Sequence, residues 1–173
     1  MIKVFEDIRQ DIDKLAEKTG DEARMINTKI KTEIDSVVAS VKSINLRNDL
    51  RKLMEKGDQL VDKTGGAAGK LASEMKADLN SVIERIDLQE RLEKLRANLD
   101  KMEDKTGTEA SKLRSKIKDE LQSIYNAAKS VDVKKEIKSI IAKIDRQADM
   151  SEDAIKKLVA EIKADIKKLV EKV

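Results

Sequence analysis

The sequence has no cysteine, no histidine, no proline and no tryptophan, and its aromatic residues are Phe5 and Tyr125 alone. Without cysteine there is no disulfide framework and no thiolate metal site. Without histidine the commonest metal ligand and general base is missing too. No cofactor, no metal and no catalytic residue is therefore expected, and the chain reads as non-enzymatic. The absence of proline, which breaks helices, favours long uninterrupted helix. Nowhere do roughly 18 apolar residues run together, so no transmembrane segment is expected. The opening MIKVFEDIRQ has no apolar run after its basic residue, which leaves no visible secretory signal. A soluble and cytoplasmic protein is the expectation.

A one-sided charge is also lacking. The 173 residues carry 37 basic and 34 acidic side chains, a net of +3, although 41% of all residues are charged. An average soluble protein has roughly a quarter. Nucleic-acid binding needs clustered positive charge and usually aromatic stacking platforms. Here lysines alternate with acids, so nucleic acid is excluded as a partner.

What is present is a repeat. EKTG at 17–20 recurs as DKTG at 62–65 and 104–107, with DMSE at 149–152 as a worn fourth copy. A second marker follows each: IKTEI at 30–34, MKADL at 75–79, IKDEL at 117–121 and IKADI at 162–166. A third opens each later copy: INL at 44–46, IDL at 86–88 and VDV at 131–133. Three markers in register predict one all-helical domain of four internal repeats, 1–45, 46–87, 88–132 and 133–173.

Each repeat reads as two amphipathic helices. Phe5, Ile8, Ile12 and Leu15 are spaced by three or four, as are Leu88, Leu92, Leu95, Leu99 and Met102. That spacing draws one apolar stripe along a helix. In the second helices the stripe is carried by Ile30 and Ile34, by Met75 and Leu79, by Leu113, Ile117 and Leu121, and by Ile162 and Ile166. The second helix of the second repeat is three residues short, which reads as the loss of about one turn.

The stretch DKTGGAAGKL at 62–71 resembles a phosphate-binding loop only superficially. Gly65, Gly69 and Lys70 stand one residue too close, Leu71 takes the place of the hydroxyl, and no strand precedes them. Asp followed by Gly three residues later suits a tight turn, and Gly suits a left-handed helix stop. Gly20, Gly65 and Gly107 are therefore read as turn residues, with Asp21, Thr108 and Ser151 capping the helices that follow. At the third marker a straight helix would turn its apolar stripe to nearly opposite sides. A helix end is expected there, with Asn45, Asp87 or Asp132 as the next N-cap and Glu90 reinforcing Asp87. The fold class predicted is all-α, with tandem αα-hairpin repeats and about eight helices. The alternative is an antiparallel four-helix bundle of long helices, broken only at the KTG turns, with half-helices at the termini.

The second marker also places charge. Lys31, Lys76, Lys118 and Lys163 line one edge of the stripe, while Glu33, Asp78, Glu120 and Asp165 line the other. Opposite edges of opposite sign suit helices that pack against copies of themselves, as flanking charges do in coiled coils. A second acidic column sets Asp13 with Glu17, Asp58 with Asp62, Asp100 with Asp104 and Asp145 with Asp149. It lies about opposite the stripe, where water should solvate it and leave its acidity unperturbed. Gly57 occupies a core slot held elsewhere by Ile12, Leu99 and Ile144. A tolerated weak spot is expected there, with a local kink or a pocket for a partner's side chain as the functional alternative, and Gly57→Leu is expected to raise the melting temperature.

These features predict a structural or scaffolding protein that acts through helix–helix self-association or through another helical protein. The repeat length falls in the range of HEAT and armadillo solenoids. The alternative is a protein that reversibly coats lipid or another apolar surface. Its Lys- and acid-rich amphipathic segments resemble exchangeable apolipoproteins and phasin-like granule coats, which implies a lipid surface as partner. The scarcity of Trp and Phe anchors weighs the other way. AEKTGDEA and DKTGGAAGK are similar to phrases of late-embryogenesis-abundant proteins, a resemblance that implies disorder in water. Low net charge with a sustained stripe predicts folding instead.

Overall fold

In a computed structural model of the chain, residues 2–103, 105, 107–146 and 152–173 are described. They are almost entirely helical, and no strand occurs among them. The helices are α1 (Ile2–Glu17), α2 (Gly20–Ser40), α3 (Ile44–Val61), α4 (Gly65–Glu103), α5 (Gly107–Ala127), α6 (Val131–Asp145) and α7 (Glu152–Lys172). The chain divides into two compact units, 1–86 and 87–173.

In the first unit α1 packs on α2, α2 on α3, and α1 also touches α3. The first part of α4 closes this core with Leu71, Met75, Leu79 and Ile86. Its centre is Ile8, Ile12, Leu15, Ile30, Ile34, Leu50 and Leu60, all without exposed surface. In the second unit α5 packs on α6 and α6 on α7. Leu92, Leu95 and Leu99 of α4 share that core with Ile117, Leu121, Ile137, Ile162 and Ile166. Each fully buried Leu or Ile contributes ~1.5–3 kcal/mol. The stripe therefore supplies most of what holds either unit together.

Among the described residues seven helices replace the expected eight because α4 runs through Asp87 without a break. The reason lies in length. The 39 residues of α4 equal the 21 of α2 plus the 18 of α3. The three residues missing from the second repeat are thus the linker at 41–43, not a turn of helix. The long-helix alternative holds for α4 alone, since residues 41–43 and 128–130 do interrupt the helices.

The caps are also corrected. Ser43, not Asn45, opens α3, its hydroxyl accepting from Leu46 N–H at 3.3 Å. Ser130, not Asp132, opens α6, accepting from Val133 N–H at 3.4 Å. The residue before the third marker is Arg85 in the second repeat, and arginine has no oxygen with which to cap. Asp87 and Glu90 consequently lie inside a helix. Asp21 and Thr108 lie within the first turns of α2 and α5 rather than ahead of them. Thr19 takes the cap place of α2 without a side-chain hydrogen bond. Ser151, and with it residues 149–151 of the fourth KTG-like marker, lies outside the described residues.

Gly20, Gly65 and Gly107 have φ of 62°, 57° and 57°, the left-handed region where a Cβ is disfavoured. The gain expected from Gly57→Leu finds no room in the structure. A Cβ there would stand 2.5 Å from Asn27 Oδ1 and 3.7 Å from the methyl of Met75. The space is already filled.

Candidate interaction surface

The four marker lysines reach across each unit in a reciprocal pattern. Lys31 on α2 pairs with Asp58 on α3 at 2.7 Å, while Lys76 on α4 pairs with Asp13 on α1. In the second unit Lys118 on α5 pairs with Asp145 on α6, and Lys163 on α7 with Asp100 on α4, each at 2.6 Å. In each unit the two marker lysines thus meet acids of the acidic column on other helices. The acidic column therefore does not stand alone in water. The hydrogen bond from Lys31 holds the Asp58 carboxyl below its ordinary value despite the opposing effect of burial. Asp104 and Asp149, second members of two pairs, lie outside the described residues.

The marker acids take different partners. Asp78 pairs with Lys56 at 2.6 Å, Asp165 with Lys143, and Glu120 with Arg91 at 2.8 Å. Glu33 is the exception. The position that holds Lys56 and Lys143 in the even repeats is Asp11 in the first and Asn98 in the third. The first repeat thus sets two carboxylates against one another, and Asp11 is 3% exposed. Lys29 mediates, standing 2.6 Å from Asp11 and 3.7 Å from Glu33, while Lys14 adds a contact to Asp11 at 3.0 Å.

The two acids respond in opposite directions. Burial alone would raise Asp11, but hydrogen bonds from Lys29 and Lys14 outweigh it and bring the carboxyl below its ordinary value. Glu33 is raised, first by burial and then by the charges of Asp11 and Asp7, which Lys29 offsets only in part. Lys29 is itself raised by its hydrogen bond to Asp11. Periodicity does not reveal this cluster. The signal is an acid standing at position 11, where two other repeats hold lysine.

A shallow groove of about 340 Å³ lies between α3 and α4, lined by Asp49, Lys52, Lys56, Asp78, Ser81 and Arg85. A matching one of about 320 Å³ lies between α6 and α7, lined by Glu136, Ser139, Lys143, Asp165, Lys168 and Lys172. Arg85 bridges to Asp49 in the first, and Lys172 to Glu136 in the second. For Asp49, burial alone would raise the carboxyl, but the Arg85 hydrogen bond prevails and lowers it. Lys172 is raised by its hydrogen bond to Glu136. Both grooves are floored by closed ion pairs.

Of the stripe, Ile30, Ile34, Met75, Leu79, Ile117, Leu121, Ile162 and Ile166 are buried. Leu113 is half-buried against the second core. Tyr125 lies under two ammonium groups, Lys134 and Lys138, at 5.4 and 5.3 Å from the ring centre. Among the described residues no group of three metal-ligating side chains converges, and no helix is long and apolar enough to cross a membrane. Compared with protein-family models, with curated proteins and with solved structures, the chain matches none.

Proposed function

We propose that the protein is a non-catalytic structural or scaffolding element that acts through helix–helix association, with a second copy or with another helical protein. Its building block is the αα-hairpin, present four times and paired two by two. The supporting observation is the reciprocal pairing of Lys31 with Asp58 and Lys76 with Asp13, matched by Lys118 with Asp145 and Lys163 with Asp100. A surface ion pair is worth only ~0–1 kcal/mol. The pairs therefore select which helix faces which, while the stripe supplies the stability. The carboxylates with shifted acidity are engaged by lysine or arginine, so their chemistry is pairing rather than proton transfer.

The experiment is multi-angle light scattering and circular dichroism in plain buffer, followed by flotation with liposomes. High helicity with cooperative melting, a defined mass and no flotation is expected. Helicity that rises only with lipid would replace this reading by surface coating, in which the stripe turns outward to the acyl chains.

A further inference from the structure

Asp11 on α1 and Glu33 on α2 meet across a single ammonium group where those two helices pack. The Asp11 side chain is 4% exposed, with Lys14 on Oδ1 at 3.0 Å and Lys29 on Oδ2 at 2.6 Å. Lys29 also stands 3.7 Å from Glu33 Oε1. Glu33 Oε2 is buried and has no hydrogen-bond partner among the described residues. An ionised oxygen left in that state is costly, whereas a protonated one becomes a donor. The third repeat avoids the conflict. It holds Asn98 and Glu120 at the same two positions, a neutral amide and one acid, and Glu120 takes Arg91 at 2.8 Å. The second and fourth repeats avoid it with Lys56 facing Asp78 and Lys143 facing Asp165.

We propose that Asp11 and Glu33 share one proton in mild acid, forming a latch between α1 and α2 that the other three repeats lack. A proton from water joins Glu33 Oε2. The new O–H donates to Asp11 Oδ2, and the Lys29 ammonium, on a side chain 58% exposed, turns out to water. Asp11 stays ionised, and Lys14 stays on its other oxygen.

The surrounding charges leave this pair as the place where a proton is taken up. Burial, Asp11 and Asp7 raise Glu33 against the opposing charge of Lys29. On the sides away from the pair, α3 sets Asp58 against Lys31 of α2, and α4 sets Lys76 against Asp13 of α1. Both of those pairs are closed. With Glu33 raised, the folded unit binds this proton more tightly than the unfolded chain does. The latch therefore stabilises the first unit as pH falls towards 4.5, is fully present below it, and is lost as pH falls through the lowered value of Asp11. It goes beyond the scaffolding reading and does not depend on it.

Carboxyl carbon NMR of the full chain tests it, with Glu33→Gln and Glu33→Met. By the pH at which Asp11 titrates, Glu33 is already neutral, so repulsion between the two charges has ended. With a shared proton, Glu33→Met removes the donor and raises the Asp11 value. Glu33→Gln, whose amide also donates, keeps it low. A second readout serves if acid unfolds the chain first. Between pH 3.8 and 4.5, the ordinary values of the two acids, the Asp11 carboxyl should shift between light and heavy water. That shift should shrink in Glu33→Met. An Asp11 value equal in the two variants overturns the shared proton, as does an isotope shift indifferent to residue 33. Where the two readouts disagree, the isotope shift decides, because it is read on the folded protein. Failure on either ground leaves helix–helix association standing.

Discussion

The side-chain oxygen of Asn27 occupies the space that a Cβ at Gly57 would need, 2.5 Å from where that atom would lie. Asn27 is buried and donates to Asp58 at 2.7 Å. Its oxygen finds no hydrogen-bond partner among the described residues. A large polar residue on α2 thus replaces the large apolar one missing from α3.

Gly57→Ala is consequently expected to lower stability by about 1 kcal/mol, because displacing the anchored amide outweighs the gain in helix propensity. In an Asn27→Ala background the same substitution should raise stability by about 1 kcal/mol, since the obstacle is gone and the propensity term acts alone. Urea unfolding of the four proteins measures the coupling. Equal effects of Gly57→Ala in both backgrounds would refute the contact.

Ser43→Ala and Ser130→Ala should each cost about 1 kcal/mol, the usual loss of a serine N-cap. Asn45→Ala and Asp87→Ala should cost a few tenths at most, since neither side chain opens a helix. Melting temperatures read by circular dichroism decide it. A larger loss at Asn45 than at Ser43 would restore the capping scheme expected from the sequence.

The packing of α1 on α2 predicts opposite pH responses from two neighbouring carboxylates. Glu33 has a raised pKa, so its charged form is penalised in the folded protein. That penalty is present above the folded pKa and disappears as pH falls below the ordinary value of 4.5. Asp11 has a lowered pKa, so its contribution is present above the ordinary value of 3.8 and lost as pH falls through the folded pKa. At pH 7 Glu33→Gln should therefore stabilise by some tenths of a kcal/mol, and Asp11→Asn should destabilise by about 2 kcal/mol. At pH 3 the Glu33→Gln advantage should vanish. Chemical denaturation at both pH values measures this, and destabilisation by Glu33→Gln at pH 7 would contradict the assignment.

The all-helical class is legible because stripe spacing and the absence of proline act locally, residue by residue. The expected break at Asp87 fails for a physical reason. Phase counting shows that the stripe changes side, but not that α4 meets two separate cores, one ending at Ile86 and one beginning at Leu88. The spacing of the markers holds the clue, since the shorter repeat lacks only the serine-capped linker. The partners of Lys31 and Lys76 are not legible, because their edge of the stripe gives a direction and no distance. Gly57 misleads because its complement, Asn27, lies on another helix and is polar.

Neighbouring helices close the apolar stripe, and on the reading proposed above they do so in water without any lipid or oil. Native-state hydrogen exchange of the Ile30, Ile34, Ile117 and Leu121 amides in plain buffer tests it most directly. These amides should exchange only through opening that costs as much as global unfolding of their unit. Exchange at the rate of an unstructured peptide, slowed only when vesicles are added, would contradict it.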